Sequence, residues 1–219
     1  MINYELENDK VNDFINSLIE VDTDIETIKE YATSNDVPII RDETRNLLRL
    51  LLVLKKPKKI LELGTAIAYS TLVIYKALNK EIDKFVTVEN NIERINVAKK
   101  NIEKYFEEKS ITLIEDDATN YLKENHEKEV FDFIFLDAAK AQYIVWLPYI
   151  KNMMKKGSVL LSDNIFKDGE ILMSRYAIIK RDRTIHKRMR EFLHTISNDD
   201  DFNTNLFNLG DGISVSIKK

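Results

Sequence analysis

From residue 58 onward short apolar runs alternate with amphipathic stretches, and this alternation constrains the fold more than any other feature of the chain. KKILEL, KFVTVE, ITLIED, FDFIFLD and GSVLLSD are each four to eight residues long and are followed by helical periodicity, such as Ile92, Ile95, Ala98 and Ile102 on one face. Strand–helix repetition of this kind predicts a parallel sheet covered on both faces, because a parallel pair needs a crossover and the crossover helices bury the sheet. Two further runs, FNTNLFNL and GISVSIK, are joined by a tight Gly-Asp-Gly turn. That turn is too short for a crossover, so this last pair is expected to be antiparallel. Upstream, apolar residues recur at helical spacing over residues 9–19, 23–34 and 42–55. Three helices are therefore expected before the first strand, and Pro148 is expected to kink the helix that starts near Lys140. No linker or repeat divides the 219 residues, so the expectation is one domain, residues 1–219, with residues 1–56 as a helical region packed on it.

Composition narrows the chemistry. With no cysteine, disulfides, thiolate metal sites and a cysteine nucleophile are excluded, and a reducing, cytoplasmic setting is expected. The three histidines, His126, His186 and His194, are too scattered for a histidine metal cage or a serine–histidine pair, and the two on the last long helix read as surface residues. The longest apolar stretch, Leu47 to Leu54, is interrupted by Arg49 and is far short of a membrane span. The start, MINYELENDK, lacks the features of a secretory signal.

Each predicted parallel strand ends in or beside a carboxylate: Glu62, Glu89, Asp117, Asp137 and Asp163. A single such acid often only caps the next helix. Five of them at the same end of an open α/β sheet line the crevice where ligands bind. The first turn, Gly64 to Ser70, has alanine at positions 66 and 68, where a pyrophosphate-binding loop has glycine, and no GxxxxGK sequence occurs. A nucleoside without phosphates, whose ribose hydroxyls Glu89 accepts, fits better. S-adenosylmethionine is such a ligand. Asp137, Asp163 and Asn164 supply two carboxylates and an amide oxygen, a hard-oxygen set suited to Mg²⁺. Lys140 lies one helical turn from Asp137, and a dication beside it would favour its neutral, basic form.

These motifs resemble those of the class I S-adenosylmethionine-dependent, metal-dependent O-methyltransferases, the family that includes catechol and caffeoyl-CoA enzymes. The resemblance spans about residues 35–219 and rests on VPII, ILELGTAIAYS, DAAKAQY, SDN and GDGISVSIKK. It is strongest to the bacterial branch that methylates 5-hydroxyuridine in tRNA. It implies a Rossmann-like, seven-stranded sheet of order 3-2-1-4-5-7-6 with strand 7 antiparallel, and a homodimer. It further implies that Gly64 and Ser70 hold the methionine part of the cofactor with Ile40 closing over it, that Glu89 binds ribose, and that Asp117 and Ala118 flank adenine. Asp137, Asp163 and Asn164 become the metal ligands, and Lys140 the base. Where the family has glycine this chain has Ala68, whose methyl is expected to crowd the cofactor.

The acceptor stays open between 5-hydroxyuridine in tRNA and a small catechol or phenolic CoA ester, since both offer two adjacent oxygens; a non-catalytic S-adenosylmethionine- or RNA-binding module is the alternative of another class, against which the intact Asp137, Lys140, Asp163 and Asn164 set speaks. A basic run favours RNA: Arg175, Lys180, Arg181, Arg183, Lys187, Arg188 and Arg190 stand against the single acid Asp182 in a chain of net charge −4. The plain alternative is a solvated helix face. Tyr143 and Trp146 offer a stacking surface, although an aromatic pair at helical spacing is more often core.

Overall fold

The computed structural model describes residues 4–20, 22–78, 81–106, 111–166, 169–174 and 176–219. Three helices, α1 (Tyr4–Leu18), α2 (Thr23–Ser34) and α3 (Asp42–Lys55), lead into strand β1 (Lys59–Leu63). There follow α4 (Tyr69–Ala77), β2 (Lys84–Glu89), α5 (Ile92–Tyr105), β3 (Ile111–Glu115), α6 (Ala118–Asn125) and β4 (Phe131–Leu136). The chain continues through α7 (Tyr143–Asn152), β5 (Met154–Ser162), α8 (Arg183–Ser197), β6 (Phe202–Phe207) and β7 (Ile213–Lys218). The seven strands form one sheet in the order β3-β2-β1-β4-β5-β7-β6. The first five are mutually parallel, and β7 runs antiparallel to both β5 and β6.

The helices cover the two faces as the apolar patterning requires. On one face Leu122 of α6, Tyr143 and Ile150 of α7 and Phe192 of α8 pack on Leu61, Ile134 and Leu160. On the other, Ile28 of α2, Leu48 and Leu52 of α3 and Leu72 of α4 pack on Ile60, Phe133 and Leu161. Because β1 and β4 are buried on both faces, they read in sequence as near-continuous apolar runs, interrupted by Glu62 and Asp132. Each fully buried leucine or phenylalanine in these clusters contributes about 2 kcal/mol of transfer free energy.

Helix α1 departs from this scheme. Its apolar stripe is turned away from the core: Phe14 and Leu18 are 63% and 69% exposed. The opposite side of the helix is held instead, by Asn12 bonded to Glu43 and by Asn16 Nδ2 donating to Asp42 Oδ2 at 2.9 Å. Polar contacts to the first turn of α3 therefore orient α1. Pro148 sits within α7, which starts at Tyr143 after a 3-10 turn over Lys140–Gln142 and not near Lys140 itself. The Gly210–Asp211–Gly212 turn closes the final hairpin, and its tip is bound to the segment after β5: Ile165 N donates to Gly212 O at 3.0 Å and Phe166 N to Asp211 O at 2.9 Å.

Candidate active site

Because β1 to β5 run in one direction, their C-terminal ends and the loops that follow share one rim of the sheet. A cavity of about 520 Å³ opens there, lined by Gly64, Glu89, Asp117, Ala118, Asp137, Lys140 and Asn164 among others. That volume is within the range of small-ligand clefts. Seven positions predicted to carry the site thus meet in one space.

The loop after β1 turns sharply under β4. Gly64 has φ +101°, and a methyl group on it would stand 2.0 Å from the Asp137 carbonyl oxygen, so only glycine fits. Ala66 and Ala68 also take left-handed backbone, at φ 46° and 68°. Ala68 is fully buried at the start of α4, and Ala66 is the loop alanine that lines the cavity. Ser70 is likewise turned inward. Its hydroxyl donates to Glu62 Oε1 at 2.5 Å, and Thr71 and Thr87 donate to Glu62 Oε2 at 2.6 and 2.7 Å. Burial pushes the Glu62 carboxyl up to about 7 against these three donors. Glu62, the first of the five strand-end acids, thus braces the loop from behind. Ile40 is 5% exposed in the core, and its neighbours Pro38 and Ile39 line the cavity.

On the β2 side, Glu89 Oε2 accepts the Ala66 N–H at 2.8 Å, while Oε1 accepts those of Asn90 and Asn91 at 3.0 and 2.9 Å. These bonds fix the carboxylate at the cavity wall and leave one lone-pair site, on Oε2, for the ligand's hydroxyls. Asp117 caps α6 by accepting the Thr119 N–H at 2.8 Å, and its hydrogen bonds, chiefly from Thr119, hold its carboxyl below the usual range.

At the β4 and β5 ends, Lys140 Nζ donates to Asp137 Oδ1 at 2.6 Å and to the Tyr143 hydroxyl at 3.1 Å. Burial works against the Lys140 charge, yet the Tyr143 oxygen and the Asp137 carboxylate outweigh it and hold the ammonium above the usual lysine range. In this arrangement Lys140 is a cation and a donor. Asp163 is 2% exposed and accepts from Thr44 Oγ1 at 3.2 Å; burial and then the neighbouring Asp137 charge raise its carboxyl to about 6. Asn164, in left-handed backbone at φ 59°, lines the cavity beside them.

Among the described residues no group of three histidine, cysteine, aspartate or glutamate side chains is placed to hold a metal ion. The set here has two carboxylates and an amide. The buried Asp163 carboxyl, whose proton affinity burial and the half-buried Asp137 beside it raise, makes a site a hard cation would relieve, so the residues fit a divalent ion.

Several side chains differ from their sequence reading. Arg175 lies outside the described residues. Within the rest of the basic run, Arg183 Nε donates to Ile178 O at 3.0 Å, Arg188 to Ala141 O at 3.2 Å and Arg190 to Ile171 O at 2.8 Å. These three fasten α8 to its surroundings, whereas Lys180, Arg181 and Lys187 are exposed. His186, read as a surface residue, is 6% exposed, with Nε2 3.1 Å from Met173 O. His194 is exposed as expected. Tyr143 and Trp146 are buried, and Trp146 Nε1 donates to Thr119 at 3.0 Å. Arg94 and Asn90 line the cleft without having been singled out; their place just after Glu89 was the available signal.

The O-methyltransferase family model matches residues 14–219. The chain belongs to that family. It is 32% identical over 127 residues to the catechol O-methyltransferase of Niastella koreensis, an alignment covering 57% of each chain. It is also similar to a crystal structure of a candidate caffeoyl-CoA O-methyltransferase from Staphylococcus aureus, with 28% identity, a TM-score of 0.86, and 98% of this chain and 100% of that one covered. An O-methyltransferase from Bacillus cereus, solved in complex with SAH, shares the fold at 23% identity and a TM-score of 0.83, with 96% and 97% of the two chains covered.

Proposed function

We propose that this chain transfers a methyl group from S-adenosylmethionine to a hydroxyl with a second oxygen beside it, as a catechol has. The observation that carries the reading is the Lys140–Asp137 pair at 2.6 Å, next to Asp163 and Asn164, on the cleft whose far wall holds Glu89. Family membership and relatives named for catechol and caffeoyl-CoA support it.

In this reading Glu89 accepts the ribose hydroxyls, Asp117 and Ala118 flank the base, and Gly64 makes room for the methionine end. Ile40 and Ser70 support that end from behind. Asp137, Asp163 and Asn164 would hold Mg²⁺ or a similar cation, which when bound lowers the pKa of an acceptor hydroxyl. The acceptor oxygen forms a bond to the methyl carbon as the carbon–sulfur bond breaks, and the sulfur keeps the electron pair as a thioether. Lys140 receives or stabilises the proton leaving the acceptor. It accepts one only as the neutral amine, after its third N–H has given up its proton and left a lone pair in that place. The cleft's other contribution is alignment of oxygen, carbon and sulfur on rigid strand ends.

A second reading, 5-hydroxyuridine in tRNA, is favoured by the exposed Lys180, Arg181 and Lys187 beside exposed Tyr176. Labelled donor and Mg²⁺ are incubated with catechols, phenolic CoA esters and tRNA lacking the methoxy modification. Label in the small phenols, unaffected by charge reversal at Lys180, Arg181 and Lys187, supports the first reading. Label confined to tRNA and lost on charge reversal supports the second, and no label in any pool overturns both. The same proposal takes residues 1–219 as one cytoplasmic domain and the protein as a homodimer, for which exposed Phe14, Leu18, Leu50 and Leu54 offer apolar surface.

A further inference from the structure

Tyr143 is fully buried, and its ring is accounted for by packing: edge-on to Phe192 at 5.5 Å between centroids and beside Trp146 at 6.4 Å. Its hydroxyl is not needed for that packing. The oxygen accepts from Lys140 Nζ at 3.1 Å and from Ala138 N at 3.3 Å, and its proton is shared between Leu136 O at 3.1 Å and Asp163 O at 3.3 Å. One hydroxyl thus spends its full capacity, two acceptor sites and one donor, on four groups from the ends of β4 and β5 and the loop after β4. An ammonium carries three N–H bonds. Asp137 takes one and Tyr143 a second, which fixes the rotor and leaves a single direction free.

We propose that Tyr143 is a positioning residue: its hydroxyl, opposite the Asp137 carboxylate, locks Lys140 so that the remaining N–H faces the cleft. The inference rests on the reading of Lys140 as the group that handles the acceptor's proton. Tyr143→Phe deletes the oxygen and keeps the ring. In protein labelled with ¹³C-lysine, the two Lys140 ε-protons, assigned by their loss in Lys140→Met, are expected to be inequivalent in the wild type. They should average to one resonance in Tyr143→Phe, with Lys151, which is paired to Asp199 and Asp201, unchanged as an internal control.

In turnover, Tyr143→Phe is expected to lower kcat about 10-fold, as loss of a supporting partner does, with KM for the acceptor within about 2-fold. The loss should vanish in the Lys140→Met background. An unchanged Lys140 signal, or the same loss of kcat in both backgrounds, overturns the proposal. If the wild type methylates no acceptor, the functional reading fails by itself, and the resonance comparison still decides whether Tyr143 holds the lysine.

Discussion

Glu62 offers a measurement of how strongly the loop after β1 depends on a buried proton. The side chain is inaccessible, three hydroxyls are its hydrogen-bond donors among the described residues, and burial raises its carboxyl from 4.5 to about 7. The folded state therefore holds this proton more tightly than the unfolded chain does. Its stabilising effect is complete below about pH 4.5 and is lost as pH rises through about 7. At 1.36 kcal/mol per unit, the loss between pH 5 and 8.5 comes to about 2 to 3 kcal/mol. Glu62→Gln removes the titration, and whatever its hydroxyl contacts lose adds a constant offset. Urea unfolding of both proteins across that interval, at fixed ionic strength, isolates the effect: the wild-type advantage over the variant should shrink by about 2 to 3 kcal/mol toward high pH. Parallel curves, within about 0.5 kcal/mol at every pH, would mean that the three hydroxyl donors hold the carboxylate ionised at ordinary pH and that burial does not govern the site.

Gly64→Ala brings a methyl carbon to 2.0 Å from a backbone oxygen at φ +101°, and should destabilise the fold by about 3 kcal/mol or more in urea unfolding. A loss under about 1 kcal/mol would show that β1 and β4 separate easily at this end. Ser70→Ala should cost about 1 to 2 kcal/mol of stability through the lost bond to Glu62, while affinity for S-adenosylhomocysteine, read by calorimetry, stays within about 3-fold. Weakened binding with stability intact would return Ser70 to the ligand side of the loop.

The strands were legible because most are short apolar runs bounded by breaking residues, with β1, β2 and β4 buried along nearly their whole length and β7 alternating. The gathering of Glu89, Asp117, Asp137, Lys140 and Asn164 followed from a topological rule: parallel strands deliver their C-terminal ends to one rim. Side-chain direction was not legible. Ser70 and Ala68 lie within a few residues of Gly64, but a left-handed turn at 66 and 68 sends them inward, and that turn depends on contact with a strand distant in sequence. His186, Arg188 and Arg190 belong to a helix whose charge pattern reads as a solvated face. What the pattern omits is the backbone packed beside it, where Met173 O, Ala141 O and Ile171 O take up His186, Arg188 and Arg190 in turn. The orientation of α1 was not legible either, because two asparagines on the side away from its apolar stripe set it through partners in α3.

The shared direction of β1 to β5 also decides where this molecule tolerates alteration. The far rim, where Pro57 leads into β1 and exposed Lys128 precedes β4, carries none of the cleft residues. A fluorophore or an immobilising tether at Lys128 would sit a whole strand length from the donor and acceptor, and would report on the protein without obstructing what enters it.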